Sequence, residues 1–471
     1  MLQLKPYPIY KTTDMEILEQ IPAGWDLVRN KKYLRFRNQI VGEQSNDYTL
    51  LSLTLKGIIK RDMENPKGKF PAEFNSYQIV EPGDLVVCLF DVDETPRTVG
   101  LSAHHGMITG AYDVLTSDDQ DIVNYLYLYF LSLDNVKGLR PLYKGLRKVV
   151  PKDSFMSMKV PIPPKQEREA IEKYINNVNS KIIDYVKAKI TLINRLKEKK
   201  QHIIQQAVTG TIDIRTSNPY PKYKESGVKW LGRIPEEWDV RRIKSLTQVK
   251  RGASPRPIAD MRYFDVNGEY AWVRISDVTD SDKYLEKTTE SLSELGKSLS
   301  VPLQPGAIFL SIAGSVGKPI ITNIKCCIHD GFVYFPNYKG SVDYLYYVLA
   351  SGAPYKGLGK MGTQLNLNTE TVGSIFIGWP SMDIQKSIAS YLDLKLQKLN
   401  EGINLIRQEI KLIQEYKVVL IANIITGKFD VRDIVNNLPE YIDLAVIDDI
   451  EVEQNEVEIM GKDETLSEEE D

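Results

Sequence analysis

The stretch Ile21-Pro22-Ala23-Gly24-Trp25-Asp26 returns later in the chain as Ile234-Pro235-Glu236-Glu237-Trp238-Asp239, each position shifted by 213. The same shift holds upstream, where Pro6-Tyr7-Pro8-Ile9-Tyr10-Lys11 returns as Pro219-Tyr220-Pro221-Lys222-Tyr223-Lys224. A second block repeats further on: Ile171, Tyr174, Thr209, Gly210, Asp213 and Arg215 correspond to Ile388, Tyr391, Thr426, Gly427, Asp430 and Arg432, at a shift of 217. Between the blocks lie inserts of nearly equal length, residues 34–158 and 247–375, whose sequences differ almost throughout. Self-similarity at a fixed distance means one structural unit built twice. The chain therefore reads as a shared frame around two unlike inserts.

The closing block of each frame carries a helical pattern. In the first, Ile175, Ile182, Lys189, Leu196 and Ile203 recur every seven residues, interleaved with Ile171, Val178, Tyr185, Leu192 and Lys199. In the second, Leu392, Leu399, Ile406, Ile413 and Leu420 form one series and Leu396, Ile403, Ile410, Lys417 and Ile424 the other. Paired heptads predict coiled coil, with Ile182, Leu192, Leu196, Leu399, Ile406 and Ile413 as seam residues. Pro161, Pro163, Pro164 and Pro380 stand before the helices and Thr209-Gly210 and Thr426-Gly427 stop them. From Ile171 to Thr209 and from Ile388 to Thr426 each helix has 39 residues, roughly 58 Å of rod. Equal rods in an insert–rod–insert–rod order close most simply as an antiparallel pair with one insert domain at each end.

The inserts are rich in short β-like runs broken by Gly, Pro, Asn and Asp, with helical stretches near 122–132 and 343–350. Tyr270-Ala271-Trp272-Val273-Arg274-Ile275 alternates as a strand does, and both Pro82-Gly83-Asp84 and Pro305-Gly306 turn into apolar runs. The expected class is α+β: two globular domains separated by two long antiparallel coiled-coil helices, a pseudo-two-fold internal repeat. The expected division is 1–158, 159–215, 216–375, 376–435 and an acidic, disordered tail, 436–471.

Charge sharpens the reading. Residues 441–471 hold thirteen Asp or Glu against Lys462 alone, so the net of −3 for the whole chain becomes +9 on residues 1–440. A mildly basic body permits nucleic-acid binding. Basic side chains fall in glycine-bearing loops: Arg251, Arg256, Lys318 and Lys360 in the second insert, Arg97, Arg140, Lys144, Arg147 and Lys148 in the first. Lys and Arg supply phosphate contacts, while Gln364 and Asn366 have the amide groups that read adenine. Three cysteines, no basic-then-apolar leader and no long apolar run point to a cytoplasmic chain without a membrane partner. Ala313-Gly314-Ser315-Val316-Gly317-Lys318-Pro319 lacks the spacing and the Ser or Thr of a nucleotide-binding phosphate loop, and Cys326, Cys327, His329 and Asp330 have no second ligand pair at finger-like spacing. Neither catalytic nor metal-binding residues are assigned.

In this order, and duplicated, the Ile-Pro-x-x-Trp lead-in, the proline-marked helix start and the Thr-Gly-x-x-Asp close resemble the specificity subunits of type I restriction-modification systems. Arg251-Gly252, Trp272 with Ile275-Ser276-Asp277, and Gly314-Ser315-Val316-Gly317-Lys318 are similar to features of that family's target-recognition domains. The resemblance covers the chain to about residue 435 and places Ser315 among the DNA-contacting candidates. It implies a non-catalytic chain that reads a bipartite double-stranded DNA target, one half per insert, with the helices as spacer and docking surface. It also implies two methyltransferase subunits using S-adenosylmethionine and two restriction subunits using ATP and Mg2+, with no cofactor in this chain. The first insert departs from the pattern, since Cys88 to Gly100 has no Ala-Gly-Ser-x-Gly-Lys run. Competing readings are a coiled-coil scaffold that never touches DNA, which predicts no salt-dependent DNA binding, and a self-contained methyltransferase or nuclease, which predicts activity from the purified chain.

Overall fold

The computed structural model describes residues 4–15, 17–61, 73–145, 148–355 and 367–438. Arg147, Lys360, Gln364, Asn366 and the acidic tail from residue 439 lie outside the described residues. Four helices longer than two turns occur among those described: α1 (Gln120–Asn135), α2 (Lys165–Val208), α3 (Val342–Ala350) and α4 (Met382–Ile425). The described residues fall into two compact units, one drawn from those up to 189 and from 407 onward, the other from 190–406. Each unit is thus an α+β domain plus half of α2 and half of α4.

In the first unit a four-stranded antiparallel sheet runs in the order Arg35–Phe36, Asp113–Thr116, Leu85–Val87, Val99–Leu101, covered by α1. The second unit has a five-stranded sheet (Lys250–Arg251, Phe332–Tyr334, Ile308–Ser311, Pro319–Thr322, Tyr284–Leu285) and a four-stranded one (Glu290–Leu292, Tyr270–Val273, Cys326–Ile328, Val301–Leu303). The expected strand at 270–275 stops at Val273, and Ile275–Asp280 forms a short helix. Asp277 ends the strand by accepting the Arg274 amide at 2.7 Å, which closes a helix N-terminus. The two Pro-Gly turns behave alike: Gly83 and Gly306 sit at φ +88° and +87°, conformations that only glycine adopts without strain.

The frames match residue for residue although the sheets do not. Tyr10 pairs with Pro22 as Tyr223 pairs with Pro235, and Asp26 pairs with Ile162 as Asp239 pairs with Trp379. The Asp430 amide donates to the Lys5 carbonyl at 2.8 Å, just as Asp213 donates to Asn218 at 2.7 Å. In the second unit that junction is continuous chain, whereas in the first it joins the two ends of the described residues. Trp25 and Trp238 are both fully buried. Each meets a tyrosine ring edge-on, Tyr7 at 5.9 Å and Tyr220 at 6.0 Å.

The end of each long helix explains why these two blocks repeat together. Gly210 and Gly427 take φ +68° and +75°. Their neighbours complete Schellman caps, with Thr211 donating to Gln206 (3.0 Å) and Lys428 to Asn423 (2.8 Å). A Cβ on Gly210 would lie 2.5 Å from Pro235 Cδ, and one on Gly427 would lie 2.4 Å from Pro22 Cδ. The lead-in proline and tryptophan therefore pack on the glycine that ends a helix. The carbonyls left over at the helix ends accept from buried hydroxyls, Tyr125 onto Ile425 (2.9 Å) and Tyr344 onto Val208 (3.3 Å).

The two helices pair antiparallel within each unit. Ile171 and Ile175 share a core with Leu420 and Ile424, and Ile203 and Ile204 share one with Leu392 and Leu396. Between these, Lys189 pairs with Glu409 at 2.8 Å and Lys200 donates to Asn400 at 3.0 Å. On α4 the expected series hold the seam: Leu392, Leu396, Ile403, Ile410 and Leu420 are buried, and Leu399, Ile406 and Ile413 half-buried beside them. On α2 the expected seam needs correction. Leu192 is 41 % exposed and Tyr185 36 %, while Ile182 and Leu196 are half-buried. The buried line runs instead through Ile175, Asn179, Ile183, Val186, Ile190 and Ile193. Spacings of four, four, three, four and three keep these positions on one side of the helix. The outer alternative would have buried a tyrosine hydroxyl that here reaches the Glu409 carboxylate at the seam's edge.

Candidate nucleic-acid interface

In the second unit three loops converge. The Arg251-Gly252 loop lies against the turn His329-Asp330-Gly331, so closely that a Cβ on Gly252 would stand 2.1 Å from the His329 carbonyl oxygen. Gly252 donates to Phe332 (2.9 Å) and Ala253 to Ile328 (3.1 Å). No side chain fits at 252 while those bonds are kept, which gives the Arg-Gly pair its local reason. The third loop, Ala313 to Lys318, joins through the Ile312 amide, which donates to the Gly331 carbonyl at 2.8 Å.

Asp330 organises the basic groups there. Arg251 Nε donates to its carbonyl (2.5 Å), Arg256 Nη2 meets its carboxylate (3.1 Å), and Ser254 Oγ donates to the same carboxylate (2.6 Å). The Ser254 hydrogen bond, with Arg256 and Arg251 beside it, holds that carboxyl below the usual aspartate range. Both arginines stay exposed, their remaining N–H donors free of the Asp330 contacts. Guanidinium groups held by one bond each, with the rest of the fork outward, suit phosphate or guanine recognition.

Ser315 and Lys318 are more engaged. Ser315 Oγ lies 2.8 Å from Thr279 Oγ1, and Lys318 Nζ donates to the Thr279 carbonyl at 2.7 Å. They pin the glycine loop, whose Gly314 and Gly317 take φ +61° and +88°, to the short helix that carries Ile275-Ser276-Asp277.

In the first unit an acid again gathers the bases. Lys148 (2.9 Å), Arg140 (3.2 Å) and the Tyr143 hydroxyl (3.2 Å) meet Asp93. Chiefly through the Lys148 ammonium, the carboxyl is held at about 2. Lys144 is exposed on the same loop, its backbone paired with Val149. Arg97 does not share this exposure, which corrects its expected place among the outward loops. Its side chain is 17 % exposed and bound to Asp134 at 3.2 Å. Asp134 also accepts from Thr98 Oγ1 (2.7 Å) and Lys137 (3.1 Å), so Arg97 ties a strand edge to α1.

Cys326 and Cys327 lie on opposite faces of one strand, in different apolar clusters, and burial pushes their thiols up to about 11 and about 12. His329 is wedged between Trp272 (5.9 Å) and Phe332 (4.5 Å), and its Nδ1 accepts the Gly331 amide at 2.8 Å. Burial lowers its pKa, and an Nδ1 that accepts is by definition unprotonated. Among the described residues no group of three or more His, Cys, Asp or Glu could hold a metal ion, and no helix is long and apolar enough to cross a membrane.

Sequence reasoning named Arg251, Arg256, Arg140 and Lys148 as candidates but missed the acids that orient them, Asp330 and Asp93. It also missed the buried Lys283, which joins Asp343 (2.8 Å) and Asp393 (2.6 Å).

Residues 235–412 match the family described as the type I restriction modification DNA specificity domain. The chain is 24 % identical over 328 residues to the type I restriction enzyme MjaVIII specificity subunit of Methanocaldococcus jannaschii, covering 66 % of this chain and 72 % of that protein. To a chain of the same organism provisionally named the type I restriction enzyme MjaX specificity subunit it is 22 % identical over 470 residues, 92 % of this chain and 99 % of the other. A solved structure from work on complex assembly and conformational transition of the type I R-M system shares the fold, with a TM-score of 0.58 at 14 % identity over 87 % of this chain and 99 % of that one.

Proposed function

The chain belongs to the family of type I restriction-modification specificity subunits, and from that premise we propose that each unit's domain reads one half of a split double-stranded DNA target. Arg251 and Arg256 in the second unit, and Arg140, Lys144 and Lys148 in the first, supply phosphate and base contacts; Ser315 and Lys318 shape the loop beside them. Arg147, Lys360, Gln364 and Asn366, which lie outside the described residues, stay candidates for DNA contact by their chemistry alone. The observation that carries this reading is a frame repeated in identical register around two unlike domains, each bearing basic side chains gathered by one acid, Arg251 and Arg256 by Asp330 and Arg140 and Lys148 by Asp93. A frame that stays constant while the readers differ is what a bipartite target requires. The helices, 44 residues each, or roughly 66 Å at the usual rise, set the distance between the half-sites.

The chain performs no reaction step itself. Two methyltransferase subunits and two restriction subunits assemble on it, and S-adenosylmethionine, ATP and Mg2+ act on those partners. Support for docking comes from α4, where Leu412 (64 %) and Val419 (58 %) are exposed apolar side chains seven residues apart, on one face of the helix. Sequencing modified adenine in host DNA tests the whole. A split motif should appear only when the chain is present with its methyltransferase, and lose one half when residues 34–158 are exchanged. Unchanged methylation beside a competent methyltransferase would sink the reading.

A further inference from the structure

Within the second unit the turn Asp282-Lys283 is held by both long helices at once. Lys283 is 9 % exposed, and its ammonium binds Asp393 of α4 at 2.6 Å and Asp343 of α3 at 2.8 Å. Tyr284, Tyr346 and Tyr347 surround it with ring centroids 5.1, 5.5 and 4.8 Å away, and the Tyr347 hydroxyl donates to the same Asp393 carboxylate. Burial alone would lower the pKa of this amine, but the two carboxylates raise it. Its neighbour Asp282 accepts from Asn400 of α4 at 3.1 Å and faces Lys200 of α2 at 3.8 Å, while Lys200 itself donates to Asn400. Two consecutive residues of the domain thus reach both helices through charged or amide groups.

These contacts border a cavity of about 690 Å³ lined by Lys200, Asp282, Lys283, Tyr347, Tyr355 and Asp393, among others. Across this cavity the domain and the helices do not meet in packed side chains, so close packing does not fix the angle between them there. Ion pairs of defined length across its margin can. Along this margin Lys283 is matched by two acids and Asp282 faces Lys200, which gives the margin the character of a bridged gap. Among the described residues the first unit does not repeat this arrangement. At the shift of 217, Asn176 stands for Asp393 and Ile183 for Asn400.

We propose that the Asp282-Lys283 turn is a latch that fixes the pose of the second recognition domain on the long helices, and so sets how strictly the complex measures the spacer between half-sites. The inference rests on the proposed reading of split DNA targets. Asp282, Lys283, Asp343 and Asp393 are positioning residues that touch no DNA, so their loss changes the tolerated spacer and leaves the bases read in each half-site alone.

The test uses the chain in complex with its methyltransferase partner. Methylation rates are compared on substrates with the native spacer and with one base pair added or removed, for the wild type, Asp282→Ala, Lys283→Met, Lys283→Arg and Asp393→Asn. The Asp282 side chain is 72 % exposed, so its removal leaves the core intact even if Lys283→Met fails to fold. The ratio of native-spacer to altered-spacer methylation should fall by roughly tenfold in Asp282→Ala and Asp393→Asn, within the range an ångström of misplacement produces, with half-site bases unchanged and partial recovery in Lys283→Arg. An unchanged ratio overturns the latch and leaves the split-target reading standing, as does an equal loss at every spacer, which would make these residues fold determinants only. Absence of any split motif from the wild-type complex overturns both.

Discussion

Gly210→Ala probes the joint on which the repeated frame depends. Two costs separate cleanly in this fold. Holding alanine at φ +68° costs about 1–2 kcal/mol, less about 0.4–1 kcal/mol recovered because alanine loses less freedom on folding. The methyl must also displace the Pro235 ring, whose Cδ and Cγ lie 2.5 and 2.7 Å from the new atom, with Trp238 Cη2 at 3.1 Å. Overpacking of a rigid ring against a buried indole costs about 1–3 kcal/mol more. Gly227 is the internal control: it lies in the same unit at φ +69° with nothing within 4 Å of a Cβ, so Gly227→Ala carries the first cost without the second. In thermal unfolding followed by tryptophan fluorescence, Gly227→Ala should lower stability by about 0–1.5 kcal/mol and Gly210→Ala by about 1–4.5 kcal/mol, a drop of about 2–18 °C for a unit of this size. Gly427→Ala should repeat the larger effect in the first unit through Pro22. Equal losses in Gly210→Ala and Gly227→Ala would refute the claim that the lead-in proline seats on the helix stop.

Arg256→Ala should weaken DNA binding and reduce the slope of log affinity against log salt by about 1 if the guanidinium neutralises one phosphate; an unchanged slope in a filter-binding titration would remove it from the interface. Because the folded His329 has a lowered pKa, the unfolded chain takes up a proton first as pH falls, so its contribution to stability is complete above about 6.5 and is lost toward the depressed folded value. Urea unfolding of the second unit across that window should show the decline, and His329→Gln should flatten it; a parallel decline in the variant would assign the slope to other groups. Leu412→Glu combined with Val419→Glu should abolish co-purification with the methyltransferase subunit while leaving the unfolding temperature within a few degrees, since both side chains are exposed; retained co-purification would move the docking face elsewhere.

The frame was legible because its two repeated blocks touch. Pro22 and Trp25 meet Gly427, and Pro235 and Trp238 meet Gly210, so the same steric demand wrote the same residues twice. The α4 seam was legible for a related reason: one pair of heptad series dominates it. In α2 two apolar lines compete, Val178-Tyr185-Leu192 and Ile183-Val186-Ile190-Ile193, and periodicity alone does not rank them; the facing helix does. The basic loops could be named from Arg251, Arg256, Arg140 and Lys148, but not their organisation. Asp330 is 74 positions from Arg256, and Asp93 is 47 from Arg140, distances over which no local pattern constrains a pair.

What the sequence by itself determined is the duplicated frame, the existence and equal length of the two long helices, their stops, and the α+β character of the inserts. These depend on backbone preference and on apolar spacing within a turn or two, which neighbouring residues encode. Only the tertiary structure decided which face of α2 is buried, that Arg97 turns inward to Asp134, that Asp330 and Asp93 gather the arginines, and that Lys283 meets Asp343 and Asp393. Those outcomes depend on chain reversals that bring remote charges within about 3 Å of one another, where hydrogen-bond geometry and desolvation select the partner, and neither leaves a periodic trace in the chain.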